Sequence, residues 1–501
     1  MISFEAFKQL ASAYTVIPLE RIVPADLHTP VSIYLALREG AECSFLLESV
    51  ETNEQVGRYS FAGANPSILV VSKNSGVEVT RRGDTQTESG DIVSVLRKLL
   101  FEFKQAPLTD PTGFSGGFLG YLSYDALAAL ESVPLPPEDA SSKPDAIFGL
   151  FHSFVQLDHR RHTLTVVQNI VVKPERSLQE QYDEGKRQLD ILVMRLSRIP
   201  LAPNSFACDF SSLREATSRD AYCDMVRKAK HHIVEGDVFQ VVLSRKATLQ
   251  YRGDPFPVYR ALRIINPSPY LFYLQFGEIQ LIGSSPEVLV RVDKDIVEVL
   301  PIAGTRRRGE SEEEDRSLEA ELLADEKERA EHTMLIDLGR NDVGRVSELG
   351  SVRVPVQARV DRYSHVMHMV SEVRGKLKGD CSTLDVLVSC SPAGTVSGAP
   401  KKRAMEIISD LEGVRRGVYA GAVGYLGLNG SLDTCIAIRT IVCSAAGLEI
   451  QTGAGIVADS DPDREFEETE SKARALRLAV EMAAKGLQSD DVQKILEERR
   501  L

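Results

Sequence analysis

The sequence predicts an α+β fold built on large sheets. Short runs with period-two alternation, bounded by turn residues, recur along most of the chain. Long helical patterns are few and do not alternate one for one with the strands, as a regular βαβ series requires. At 501 residues the chain exceeds one ordinary core, so two domains or one large composite domain is expected.

Taken in order, residues 1 to about 200 read as short strands and turns, with strands at 43–50, 58–63, 66–73 and 76–80. Helices are predicted over 93–103 and 178–196. GFSGGFLGYLSYDA (113–126) is Gly-rich and aromatic, which suits a tightly packed strand or bend better than a phosphate loop. Residues 133–145 are rich in Pro and polar residues, as is IPLAPNSFACDFSS (199–212). The latter is the expected linker between an N-terminal domain, 1–200, and a second domain, 213–490. Beyond it Ser218 caps a helix that places Ala221, Met225, Ala229 and Ile233 on one side and stops at Gly236. Strand 238–246, helix 258–265 and an NPSP turn (266–269) follow, then strands 270–276, 279–283, 287–292 and 296–305. A long helix is expected over about 316–338. After it come strand 365–373, a loop at 389–411, and strands 418–428, 432–443 and 447–451.

Composition excludes several classes. Apolar content of 43% and charged content of 26% are those of a soluble globular protein. A net charge of −13 without a long basic tract argues against nucleic acid or an anionic membrane as the main partner. The basic run 306–308 is followed directly by GESEEED and reads as an exposed loop. The seven cysteines are scattered without metal spacing, which fits a reducing cytoplasm. No run is long enough to cross a bilayer, and MISFEAFKQL lacks a signal-peptide core.

The chemistry concentrates in the second half. DEKERAEHTMLIDLGRND (325–342) reads as a helix stopped by Gly339, with Glu328 and Glu331 a turn apart on one face. TGAGIVADSDPDREFEETESKARA (452–475) repeats the arrangement: Asp461 caps, Pro462 suits the first position, Glu465 and Glu468 lie three apart, and Lys472 follows one turn on. A solvated charged face gives the same spacing. Two such helices facing one cleft would instead make a hard-cation site for Mg²⁺, with carboxylates to spare for proton transfer. PAGTVSGAP (392–400) opens a helix whose free N–H groups favour an anion, and Gly453-Ala-Gly455 presents N–H groups at a strand end. Neither is a dinucleotide or Walker loop. Arg439 sits in CIAIRTIV, where alternation puts Cys435, Ala437, Arg439 and Ile441 on one strand face. A guanidinium there calls for an anion, either a ligand carboxylate or an internal Asp or Glu. His368 points opposite His365 on a strand, which excludes the two as a metal pair from one face.

PIAGTRRRG (301–309), the 325–342 helix, HVMHMVSEV (365–373), SPAGTVSGAPKKRAMEII (391–408), YAGAVGYL (419–426), AIRT (437–440) and the 452–473 segment together resemble the chorismate-utilising enzymes. The resemblance spans nearly the whole chain and is strongest to the large-subunit branch of anthranilate synthases. It implies a composite α+β sandwich and conversion of chorismate and ammonia to anthranilate and pyruvate, the committed step toward tryptophan. Two positions bear on the branch. Aminodeoxychorismate synthases carry a nucleophilic Lys where this chain has Ala303, and isochorismate or salicylate synthases carry a Lys base where it has Gln240. Aminodeoxychorismate synthase and a non-catalytic tryptophan-sensing relative are the rival readings.

The resemblance further implies Mg²⁺ on Glu331 and Glu468, with Glu328 and Glu465 nearby. It assigns the ring carboxylate to Thr395 and the Gly453, Ala454 and Gly455 backbone, and the enolpyruvyl carboxylate to Tyr419 and Arg439. Thr305 is assigned to the ring site, Glu328 to acid catalysis and His368 to pyruvate loss. Tryptophan inhibition is assigned to Glu48, Ser49, Arg58, Pro269 and Tyr270. No glutaminase motif accompanies these, so a separate glutamine amidotransferase subunit is implied, in a hetero-tetramer.

Overall fold

The computed structural model describes residues 1–49, 57–73, 76–110, 113–138, 143–198, 205–309, 311–362 and 366–498. Among these residues the strands close into two antiparallel sheets of twelve strands each, flanked by helices. Both halves of the chain build both sheets. Residues before 199 supply five strands at one end of each sheet, and later residues supply seven. The seams are strand Cys43–Glu48 paired with Tyr270–Phe276, and Gly117–Leu122 paired with Ala422–Gly427.

An aromatic layer lies where the sheets meet. Phe45 and Phe272 come from one sheet, Tyr121, Phe151 and Tyr425 from the other, and all are buried in one cluster with Phe114. Two larger clusters, rich in Val, Ile and Leu, join the helices to the sheets. The Gly-rich stretch is the expected tight strand. A Cβ on Gly120 would lie 1.8 Å from the Ile147 carbonyl oxygen, and one on Gly117 2.1 Å from that of Leu426. Only glycine permits such backbone approach.

Several expectations need correction. The helix expected over 316–338 is two, Glu312–Ala324 and Glu326–Val346, divided at Asp325. The Asp325 carboxylate accepts from the Lys327 and Glu328 N–H groups, so an N-cap restarts the helix. Gly339 does not end it; Gly339 is buried in mid-helix, where a Cβ would lie 3.0 Å from Val299. Run 296–305 breaks at Leu300-Pro301 into two strands, Ile296–Val299 and Ile302–Arg307. Run 432–443 divides into Leu432–Ile436 and Thr440–Ser444, which belong to different sheets. Arg439 therefore sits in the crossover, with φ of 50°, and not on a strand face. Within the expected linker, residues 207–212 are part of an edge strand, Ala207–Glu215, while 199–204 lie outside the described residues. His365 and Glu310 also lie outside them.

Candidate active site

Helix Glu326–Val346 and helix Pro462–Lys485 both start at an aspartate cap, and both line one cavity. Its volume is about 890 Å³. Lys327, Glu328, Glu331 and Leu335 line it from the first helix, and Arg464, Glu465, Glu468 and Lys472 from the second. Both sets follow the same spacing, one helical face over two turns. The Glu331 carboxyl is pushed above its usual range by burial, then by the charge of Glu328 on its own helix and of Glu468 across the cavity. Glu465 is raised too, by burial and by Glu468, against a hydrogen bond from Ser460. Lys472 moderates this cluster: its Nζ reaches Glu468 at 2.7 Å and the Gly453 carbonyl at 2.8 Å. Such a set of oxygen donors, two of them penalised by a neighbouring carboxylate's charge, matches a divalent hard cation.

The other walls come from both sheets. Gly453 and Gly455 line the cavity, whereas Ala454 points to the other side of its strand and is fully buried. On the facing wall Thr305 Oγ1 lies 3.0 Å from His368 Nδ1, which is 3.1 Å from the Gly304 carbonyl. A carbonyl only accepts, so Nδ1 carries the hydrogen and Nε2 is the basic nitrogen. Burial lowers the His368 pKa, and the nearby Arg439 charge adds to that, so the ring is neutral at pH 7. Arg439 reaches the cavity from the crossover between sheets. No salt bridge joins it to a carboxylate among the described residues, and burial makes its charge costly. The alternative of an internal Asp or Glu partner falls away, and the guanidinium is available to an anionic ligand. Tyr419 beside it is a neutral donor, its hydroxyl pushed up to about 12 by burial.

Glu287 is the residue that sequence reading passed over. It lines the cavity, accepts a 2.7 Å hydrogen bond from Thr395 Oγ1, and is raised by burial to about 7. Thr395 and Lys472 oppose that rise without cancelling it. Glu328, in contrast, is held by Arg306 at 3.1 Å.

The chorismate binding enzyme profile matches residues 44–477. The chain belongs to the chorismate-binding enzyme family. It is 45% identical to anthranilate synthase component 1 of Acetivibrio thermocellus over 96% of this chain and 98% of that one. It is 43% identical to the component 1 protein of Aquifex aeolicus, over 96% and 98%. The crystal structure of anthranilate synthase component I from Streptococcus pneumoniae TIGR4 superposes with a TM-score of 0.74 at 36% identity, covering 91% of this chain and 99% of that one.

Within this chorismate-binding fold, Thr305, Glu328, Glu331, His368, Thr395, Tyr419, Arg439, Gly453, Gly455 and Glu468 all line one cavity. Ala303 and Gln240, the two positions that separate branches of the family, line it as well. The segments expected to bind tryptophan gather at one end of a sheet. Strand Cys43–Glu48 lies between Tyr59–Ala64 and Tyr270–Phe276, with Glu48 opposite Leu271. There Glu48 is buried and accepts from the Tyr259 hydroxyl at 2.5 Å and Arg263 Nε at 2.9 Å. Arg58 pairs with Asp158 at 2.7 Å. The Tyr270 hydroxyl donates to Asp433 at 2.5 Å and accepts from Arg291 at 2.8 Å. Pro269 lines the large cavity itself. Ser49 Oγ is buried without a hydrogen-bond partner among the described residues.

Proposed function

We propose that this chain aminates chorismate at C2 with ammonia and releases anthranilate and pyruvate. The observation that carries the reading is one cavity holding four glutamates from two helices opposite Tyr419 and Arg439, which pairs with no carboxylate among the described residues, with Ala303 and Gln240 in its walls. Ala303 offers no nucleophile and Gln240 no base, which leaves ammonia as the attacking group. Glu331 and Glu468, with Glu328 and Glu465 beside them, are the residues that would hold Mg²⁺. Bound there, the ion supplies Lewis acidity toward the ring carboxylate.

Arg439 and Tyr419 hold the enolpyruvyl carboxylate, and Thr395 with the Gly453 and Gly455 N–H groups orients the ring carboxylate. Glu287 is the proposed proton donor to the departing C4 hydroxyl, because burial keeps much of it protonated at neutral pH. Glu328 carries less of that role, since its carboxylate is engaged by Arg306 at 3.1 Å. In the second step His368 Nε2 takes the C2 proton as the enolpyruvyl group leaves as pyruvate, and the ring becomes aromatic. The nitrogen comes from a separate glutaminase subunit in a hetero-tetramer. Tryptophan inhibits at the sheet end where Ser49 lies, with Glu48 shaping the pocket through Arg263 and Tyr259.

The deciding experiment supplies the purified chain with chorismate, Mg²⁺ and either ammonium salt or glutamine. Anthranilate forms from ammonium alone. Aminodeoxychorismate as the product, or no turnover, rejects the reading.

A further inference from the structure

Along helix Glu326–Val346, Glu328, Glu331, Leu335, Leu338 and Asp342 recur at steps of three and four and share one face. The first three line the cavity. At the fourth, a Cβ on Gly394 would collide with the Leu338 side chain, so the turn Gly394–Val396 rests directly on this stripe. Asp342 follows one turn on. It is 6% exposed and grips segment 389–401 at both ends. Its carboxylate accepts from Lys401 Nζ at 3.0 Å, and its backbone carbonyl accepts from Ser389 Oγ at 2.7 Å. Lys401 Nζ also donates to the Ser389 carbonyl at 3.5 Å, which ties the two ends to each other. On its other side the segment bonds strand Gln240–Arg252: Val242 N–H donates to the Ser397 carbonyl at 2.9 Å, and Ala399 pairs with Gln240. Between these two holds, Thr395 reaches Glu287.

We infer that Asp342 and Lys401 are positioning residues for the reaction: their buried pair sets where Thr395, and through it Glu287, stands relative to Glu328 and Glu331. The inference rests on the reading above, in which Glu287 is the proton donor. Neither Asp342 nor Lys401 lines the cavity, so both act through the turn. Desolvation offsets much of the attraction in a buried pair, which makes it weak evidence for stability; its best-attested use is to fix register. Here the register is that of the turn along the helix stripe. Without the pair, the end of the segment at Lys401 comes free of the helix, while Ser397 and Ala399 stay on the strand. Thr395 then shifts away from Glu287. Its hydrogen bond opposes the rise of the Glu287 pKa, as does the charge of Lys472, so losing it lets Glu287 keep its proton to higher pH.

The test measures kcat against pH with chorismate, Mg²⁺ and saturating free ammonia for wild type, Asp342→Asn, Lys401→Gln, Thr395→Val and the double variant Asp342→Asn with Thr395→Val. Asp342→Asn and Lys401→Gln are each expected to lower kcat about tenfold or more, since a misplacement of about 1 Å can cost ~10²-fold. Both are expected to move the alkaline limb to higher pH, as Thr395→Val does. The double variant is expected to move it no further than Thr395→Val alone, because the two changes break one connection. Arg38→Met, which breaks the Arg38–Asp254 pair outside the cavity, is the control for lost stability and is expected to leave the limb in place. Near-wild-type kcat with an unmoved limb in both Asp342→Asn and Lys401→Gln overturns the inference. So do shifts that add in the double variant, or an equal shift in Arg38→Met. If Asp342→Asn does not fold, Lys401→Gln, alone and combined with Thr395→Val, decides by the same criteria. Wild type that forms anthranilate without an alkaline limb rejects Glu287 as the donor. The kcat values then decide: losses that multiply in the double variant overturn the positioning role, and losses that do not multiply uphold it. Wild type that forms no anthranilate rejects the reaction, and the inference with it.

Discussion

At the residue scale, the proposed acid catalysis rests on one buried carboxyl. Glu287 titrates near 7, and only its protonated form donates to a leaving hydroxyl. Turnover with saturating free ammonia is therefore expected to fall as pH rises through about 7, and Glu287→Gln is expected to abolish that limb. General-acid loss typically lowers kcat ~10²-fold or more. A wild-type profile flat from pH 6 to 8.5, after correction for free ammonia, rules out this donor. The glutamates proposed to hold Mg²⁺ give a second expectation. Glu331→Gln and Glu468→Gln keep the shape of the cavity but each removes an anionic donor, so both lose product formation at millimolar Mg²⁺ and bind it more weakly in calorimetry. Near-normal turnover in either excludes it as a ligand. These glutamates were legible because three-residue spacing on a helix survives any tertiary context. Glu287 was not: it follows Ser-Ser-Pro at a strand start, and its proton affinity comes from burial, which sequence does not display. Arg439 was legible as a buried cation, but the strand face read for it was wrong, since it lies in a crossover.

At the element scale, the cavity is braced by an ion pair that no motif announced. Arg416 is 1% exposed and pairs with the buried Glu412 at 2.6 Å. Its Nη1 donates to the carbonyl of Val396 at 2.8 Å, and the Nη2 that pairs with Glu412 also donates to that of Val242 at 2.6 Å, both cavity residues. The guanidinium also lies 5.6 Å from the centre of the Tyr419 ring, and Glu412 accepts from Ser244 N at 2.7 Å. One buried pair thus joins the Thr395 turn, strand Gln240–Arg252 and Tyr419. Removing one partner of such a pair costs about 3–5 kcal/mol, because the other charge is left buried. Arg416→Met is therefore expected to lower the melting temperature markedly, and the double variant Arg416→Met with Glu412→Met to recover part of the loss. An unchanged melting curve for the single variant excludes the brace. Most strands and caps were legible locally, as with Ser218, whose hydroxyl accepts from Ala221 N. Breaks inside apolar runs were not. Residues 432–443 read as one strand because a change of sheet leaves no polar mark when both sheets are buried.

At the scale of the whole molecule, the two halves of the chain share their sheets, and this limits what each half does alone. The α+β class was legible from alternation, but pairing partners hundreds of residues apart were not, because register is set by tertiary packing. Cutting between 198 and 205 would unpair Tyr270–Phe276 from Cys43–Glu48 and Ala422–Gly427 from Gly117–Leu122. Each new edge would expose a strand whose residues are largely buried in the intact chain, such as Phe272, Leu274 and Val423. Unpaired apolar edges of this length associate rather than stay soluble. The aromatic layer would also lose Phe45, Phe61, Phe114, Tyr121, Phe151 and Phe154, most of its large rings. A fragment beginning at residue 205 keeps every residue assigned to chorismate, yet it is expected to aggregate and to show no ammonia-dependent turnover. Co-expression with residues 1–198 is expected to restore part of both, since the missing strands re-pair without covalent linkage. A soluble fragment that melts cooperatively and aminates chorismate at the rate of the full chain would mean that the later half folds alone. The N-terminal strands would then be an attachment to the catalytic half and not part of its framework.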